Sequence, residues 1–212
     1  VFNEAGIPVA PLKGIALAES LYGDRNLRVC FDLDLLVPVD RVRDACKALL
    51  AHGYAGEPPD WFLERYTLRN STEMMFRWRG CVPYILAVDL HWGLLGWPPA
   101  ERQAMEDLWA ETQPQSLLGS SVRTLSPEWR FLQLVLHAVR HDSKELKTLV
   151  DLDQVCRNGG VNWEEVRRKA ERFGWEDVLA PPLKQCEALL ETPVPATLAS
   201  KEHVSVPGIF GN

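Results

Sequence analysis

The chain has 212 residues, 46% hydrophobic and 25% charged, with a formal net charge of −6. This length suits one domain or two small ones with a buried core, in an ordinary water-compatible composition. The acidic balance speaks against broad nonspecific binding to nucleic acid, which needs a basic surface, though a local basic groove remains compatible with it.

No apolar run is long enough to span a bilayer, and no signal peptide is visible. Five cysteines, at 30, 46, 81, 156 and 186, are scattered and contain no C-x-x-C pair. A reduced, cytoplasmic setting with cysteines as small core residues is expected. The opening Val1-Phe2-Asn3-Glu4-Ala5-Gly6 reads as a helix end with its C-terminal glycine, which suggests that the native N-terminus lies upstream.

Ile7 to Leu12 reads as a short strand whose prolines place it at a sheet edge or a strand start. Lys13-Gly14 and a helix over 15–22 follow. A strand, a glycine turn and a helix N-terminus form an anion site, because free backbone N–H groups and the helix dipole face the ligand. Lys13 adds a point charge suited to phosphate. A plain strand–helix turn with a surface lysine accounts for the dipeptide as well. Gly23 to Asn26 is a turn, and Arg28 either grips a phosphate bidentately or pairs with Asp24.

From Arg28 to Val37 two carboxylates alternate with apolar residues and an apolar run follows, which reads as a buried strand with a charged mouth. Alternate residues of a strand share a face, so Asp32 and Asp34 project side by side. Carboxylates held that close repel each other unless a cation lies between them, and a hard divalent ion such as Mg2+ is the natural partner. The bland alternative is a strand-end turn with solvated Asp side chains. Asp40 is placed as an N-cap for a helix whose stripe is Val42, Ala45, Cys46, Leu49 and Leu50, closed by Gly53.

A proline-rich loop, a short helix over 61–68, and a strand from Thr72 to Trp78 come next. Gly80-Cys81 is a possible hairpin turn, and Pro83 to Trp92 the following strand. Asp89 and His91 share one face at its far end, and a carboxylate at the end of an apolar strand needs a partner. Arg65, Arg69, Arg77 and Arg79 with Trp61 and Trp78 form a basic-aromatic cluster that reads as a solvated face with local ion pairs, with a weak nucleic-acid patch as the alternative. Pro98-Pro99 starts a helix to about Thr112, and 121–125 forms a short strand.

From Ser126-Pro127 onward the pattern is helical only. Helices cover about 127–142, with Leu132, Val135, Leu136 and Val139 as a buried stripe, then 144–157, 162–174 with Glu165 in capping-box position, and 176–191. His137 and His141, four apart, share one face off that stripe. The expected domains are 1–125, mixed α/β; 126–192, helical; and 193–212, an extended tail.

Together, two carboxylates on one strand end and a third on another describe a metal-assisted phosphoryl-transfer centre. The series Leu12-Lys13-Gly14, Tyr22-Gly23, Arg28, Asp32-Leu33-Asp34-Leu35-Leu36-Val37 and Val88-Asp89-Leu90-His91-Trp92 resembles an uncharacterised family of the polymerase-β-like nucleotidyltransferase superfamily. Leu136-His137-Ala138 through His141, with Asp151 further on, shares the resemblance, which runs from about residue 5 to about residue 160. The resemblance implies an α+β fold: a small mixed sheet flanked by helices, followed by a C-terminal helical bundle.

It also implies Asp32 and Asp34 as paired metal ligands, Asp89 as the third carboxylate, and Lys13-Gly14 as the turn that holds the triphosphate. Mg2+ or Mn2+ is the implied cofactor and an NTP the donor. The acceptor, whether small molecule, peptide or RNA, is unspecified. Arg28, His91, His137 and His141 are expected to contact nucleotide or acceptor, with surface or hydrogen-bonded roles for the histidines as the alternative. The chain departs from the superfamily pattern in Lys13, in a longer gap between Gly14 and Asp32, and in Phe31 where a serine often precedes the first Asp.

A haloacid-dehalogenase-type phosphatase wants Thr or Ser at Leu36, and a zinc protease wants Glu at Ala138. His141-Asp142 hints at an HD-type phosphohydrolase but lacks clear partner ligands. A catalytically silent nucleotide-binding or antitoxin-like module is the rival from another class.

Overall fold

The structure is a computed structural model that describes residues 1–56, 70–80, 87–94, 98–141, 145–158 and 160–198. The chain divides into two compact units, Val1–Ser126 and Pro127–Asn212. Among the described residues no helix is long and apolar enough to cross a membrane.

The first unit contains β1 (Ala10–Pro11), α1 (Ile15–Ser20), β2 (Asp32–Leu36), α2 (Val42–Ala51), β3 (Tyr54–Ala55), β4 (Glu73–Trp78), β5 (Ala87–His91), α3 (Pro98–Glu111), β6 (Gln113–Leu117) and β7 (Ser120–Thr124). Its five-stranded sheet has the order β1-β2-β5-β4-β3. β2 and β5 run parallel and the other neighbours antiparallel. The proline-bearing β1 lies at the edge, where a missing N–H costs no ladder bond.

The sheet has two chemically different faces. Met74 and Phe76 of β4 and Val88 and Leu90 of β5 pack with Val42, Ala45, Cys46 and Leu49 of α2 in one buried cluster. Burying each large apolar side chain is worth roughly 1.5–3 kcal/mol. A one-residue slip would turn these groups out and the polar face in, so the core fixes the register on which the other face depends.

α2 begins differently from the sequence expectation. Asp40 does not cap it; Asp40 lies inside a 3-10 turn, Val39–Arg41, whose N-cap is Pro38. α2 then follows Arg41 without a side-chain cap. A 3-10 turn commonly tightens a helix start, and here Arg41 N donates to Pro38 O at 2.9 Å. Gly53, with φ 85°, follows the helix as expected.

β3 and β6 were not expected. β6 is polar and almost wholly exposed, so it carries no alternation signal. It exists through its hairpin with β7, turned by Leu118 and Gly119 at φ 52° and 77°, a pair of positive values that matches strand twist. Arg123 of β7 donates its backbone N–H to Val9 O at 2.7 Å and its Nε to Thr112 Oγ1 at 2.9 Å.

The second unit contains α4 (Pro127–Arg140), α5 (Leu146–Asn158), α6 (Trp163–Phe173) and α7 (Glu176–Leu190). α4 packs against all three others. Its burial exceeds the expected stripe: Trp129, Phe131 and Leu134 are as buried as Leu132, Val135 and Leu136, as a central helix requires. Asn162 caps α6, its side chain accepting from Glu165 N at 3.2 Å, and Gly174 ends it in the left-handed region at φ 70°.

The expected helix over 61–68, Arg65, Arg69, Cys81, the strand start at 83–86, Asp142, Lys144 and the tail from 199 lie outside the described residues.

Candidate active site

The polar face of the sheet is set by strand register. Asp34 of β2 stands opposite Asp89 of β5, Asp32 opposite Ala87, and Leu36 opposite His91. On the other side of β5, Glu73 of β4 stands opposite His91 and Met75 opposite Asp89. Directly opposed residues share a face, so Asp32, Asp34, Asp89, His91 and Glu73 all project away from the apolar core.

Asp34 and His91 are each 6% exposed. Asp34 Oδ1 accepts from Lys13 Nζ at 2.9 Å and lies 3.3 Å from His91 Nε2. The other ring nitrogen, His91 Nδ1, is 3.2 Å from Glu73 Oε2. Glu73, His91, Asp34 and Lys13 therefore form one continuous chain of polar contacts across three strands and the turn after β1.

Asp34 and Asp89 respond oppositely to this setting. Burial pushes the Asp34 carboxyl up, but the His91 hydrogen bond and the Lys13 charge outweigh it and hold Asp34 well below the ordinary carboxylate range. Asp89 is pushed up, first by burial and then by the charges of Asp34, Asp32 and Glu73, against a partial offset from His91. Its Oδ1 is buried and has no hydrogen-bond partner among the described residues.

A buried carboxylate oxygen in that condition is costly unless a cation reaches it. Ligand atoms of Asp34, Asp89 and His91 lie within 4.8 Å of one another, close enough to share one ion. Carboxylate oxygens suit a hard divalent ion, so the donor chemistry and the orphaned Asp89 oxygen both fit one. Asp32, half-buried at the first position of β2, is outside that closest trio, although its charge acts on Asp89.

The Lys13-Gly14 turn lies against the start of β2. Gly14 is the N-cap of α1 at φ 62° and ψ −125°. A Cβ placed there would meet Cys30 Sγ at 3.5 Å, Asp32 O at 3.6 Å and Arg28 Nη1 at 4.0 Å. Arg28 is 7% exposed, and its Nη1 is 3.6 Å from Cys30 Sγ. Asp24 uses its side chain on Asn26 N at 2.8 Å. Lys13, Gly14 and Arg28 thus flank the acidic strand end. The contacts a Cβ would make at Gly14 are ordinary, so Gly14→Ala is expected to act through backbone strain alone. It should cost about 1–3 kcal/mol, read as a lower urea midpoint with an unchanged m-value.

Glu73 was not singled out from sequence. Its signal was available: it precedes Met74 and Phe76 in alternation, which assigns it to the face opposite the core. His137 and His141 belong to the second unit, where they gather with Glu145.

One sizeable cavity of this unit is built without the polar face. A cavity of about 760 Å³, lined by Thr72, Trp92, Glu101, Met105 and Trp109 among others, includes none of the acidic-face residues. A smaller one of about 290 Å³ is lined in part by Lys13, Asp34, Leu117 and Val122.

A mixed sheet with a carboxylate-bearing parallel strand pair, followed by a unit of packed helices, is an α+β fold of the nucleotidyltransferase kind. The chain is similar to the solution structure of the antibiotic-resistance factor ANT(2'')-Ia, with TM-score 0.51, 16% identity, and 90% of this chain and 89% of that one covered. It is also similar to the crystal structure of ANT(2'')-Ia in complex with adenylyl-2''-tobramycin, with TM-score 0.50, 15% identity, and coverage of 82% and 90%. The sequence matches the model of the uncharacterised nucleotidyltransferase family over residues 1–191, and the chain belongs to that family. No curated protein matches the sequence.

Proposed function

We propose that the protein is a divalent-metal-dependent nucleotidyltransferase that moves a nucleoside monophosphate from an NTP, ATP among them, to a hydroxyl or phosphate of an acceptor. The observation that carries this reading is the register of Asp34 against Asp89, with a buried Asp89 oxygen left without a hydrogen bond. Asp34 and Asp89, with Asp32 beside them, would hold Mg2+ or Mn2+. When bound, such an ion supplies charge neutralisation at the triphosphate.

In the transfer an acceptor oxygen bonds to the α-phosphorus, the bond between the α- and β-phosphates breaks, and pyrophosphate leaves. For a hydroxyl acceptor, Asp89 takes the proton. Lys13 and Arg28 are assigned to the phosphates and His91 to orienting Asp34. A cytoplasmic setting fits the free Cys30, Cys46, Cys156 and Cys186.

ANT(2'')-Ia was crystallised with an adenylylated small molecule, so small molecules are the first acceptors to try, before peptides and RNA. The experiment is incubation with each labelled NTP and Mg2+ across these acceptors, with pyrophosphate and transferred label measured. Mg-dependent release is the expected result.

A second reading, a silent nucleotide-binding or antitoxin-like module, draws support from the Lys13 ammonium, which already neutralises Asp34. NTP binding without turnover on any acceptor would favour it. Lys13→Ala is expected to weaken NTP binding roughly tenfold, in line with loss of one charged hydrogen bond, and to slow chemistry less. Unchanged NTP affinity, measured by calorimetry, would remove Lys13 from the phosphate role.

A further inference from the structure

The second unit carries a cluster of two histidines and a carboxylate to which the proposed transfer assigns no step. His137 and His141 lie on one face at the end of α4, with ring centroids 4.5 Å apart. Glu145, just ahead of α5, presents a carboxylate to both: Oε2 is 3.6 Å from His137 Nε2 and Oε1 is 3.8 Å from His141 Nδ1. The ligand atoms lie within 4.8 Å of one another. Around a tetrahedral zinc ion, with bonds near 2.0–2.2 Å, neighbouring ligand atoms stand about 3.3 Å apart. The two carboxylate–imidazole gaps exceed that by a few tenths of an ångström, and the widest spacing in the trio by at most about 1.5 Å.

The donors are also held from behind. The Thr148 hydroxyl donates to Glu145 Oε2 at 3.2 Å, and Thr148 is only 3% exposed. Glu145 O accepts from Thr148 N and Leu149 N at 3.0 and 3.2 Å, which fixes it to the first turn of α5. His141 N donates to His137 O and Ala138 O, each at 3.2 Å. A hydrogen-bonded ligating carboxylate with a buried outer partner is the arrangement that orients metal ligands.

We propose that His137, His141 and Glu145 bind one borderline divalent cation, zinc in type, at a site built from the second unit's own residues. Two imidazoles and one carboxylate select zinc over magnesium, which prefers all-oxygen surroundings. With three protein donors, a fourth position stays open to water or a ligand group. The ion ties the end of α4 to the start of α5.

The test uses the full chain, with any affinity tag removed and metals stripped by chelator. Zinc is titrated by calorimetry, and cobalt by its visible ligand-field absorption. The expected result is one zinc per chain with tetrahedral-type cobalt bands, insensitive to millimolar magnesium. His141→Ala and Glu145→Gln, at exposed positions, should each weaken zinc at least tenfold with an unchanged circular dichroism spectrum. Thr148→Val should weaken it roughly 10–100-fold. Asp34→Asn should leave it intact. Zinc binding that survives His141→Ala, that disappears in Asp34→Asn, or that gives no cobalt bands overturns the proposal, whatever the transfer assay shows.

Discussion

Asp34→Asn and Asp89→Asn are each expected to lower nucleotidyl transfer by at least about a thousandfold, which corresponds to roughly 4 kcal/mol of lost transition-state stabilisation. The two residues oppose each other across a parallel strand pair, so neither can be replaced by a neighbour on a mobile loop. An amide keeps the shape but loses the charge that holds a divalent ion and, at position 89, the ability to take a proton. Single-turnover assays across a Mg2+ series separate the two roles. Asp34→Asn should recover part of its rate at higher metal concentration, whereas Asp89→Asn should not. Near-normal turnover in either variant would remove that residue from the reaction.

The same two substitutions should move stability in opposite directions once metal is removed by chelator. Asp34 is ion-paired with Lys13 and bonded to His91. Asp34→Asn should therefore cost roughly 1.5–3 kcal/mol, the range for a charged hydrogen bond. Asp89 has a buried oxygen without a hydrogen-bond partner among the described residues, and repulsive neighbours. Asp89→Asn should stabilise the metal-free protein by roughly 0.5–2 kcal/mol, the usual yield when functional strain is relieved.

The pH dependence gives each sign a second check. Asp34 has a folded pKa below its unfolded value, so the unfolded chain binds more protons between the two. Its contribution is present above the ordinary value of 3.8 and fades as pH falls. The Asp34→Asn deficit should shrink in acid. Asp89 has a folded pKa above 3.8, so the native state binds more protons in that window and stability falls as pH rises through it. The gain from Asp89→Asn should be full near neutrality and vanish towards about pH 4. Urea unfolding of chelated protein across that range measures both. A destabilised Asp89→Asn at neutral pH would contradict the strain assigned to Asp89.

Much of this arrangement was legible because it is local. Strand alternation alone put Asp32 beside Asp34 and Asp89 beside His91, and the apolar stripe of α2 announced its buried face. The family resemblance rested on the same short segments, and the family and the fold are as it implied. Non-local features were not legible. Nothing in either segment says that residue 34 faces residue 89 and not residue 91; the core on the reverse face decides that register. The Lys13–Asp34 ion pair depends on how the turn after β1 closes over β2. Glu73 was passed over because a single acid in an apolar strand looks like ordinary surface. β6 escaped because a polar segment becomes a strand only when β7 supplies the partner. Asp40 was misassigned because a capping residue and a residue inside a preceding 3-10 turn have the same composition.

The hydrogen bond between His91 and Asp34 joins residues 57 positions apart. Bringing such distant segments together is slow and entropically late, since the loop must close before the contact repays it. A polypeptide still emerging from the ribosome with β1 and β2 made but not β5 would carry Asp32 and Asp34 on a strand with a partner on one side only. The acidic face would be assembled only after β5 had docked alongside, so a chain ending before β5 would lack Asp89 and His91 beside Asp34.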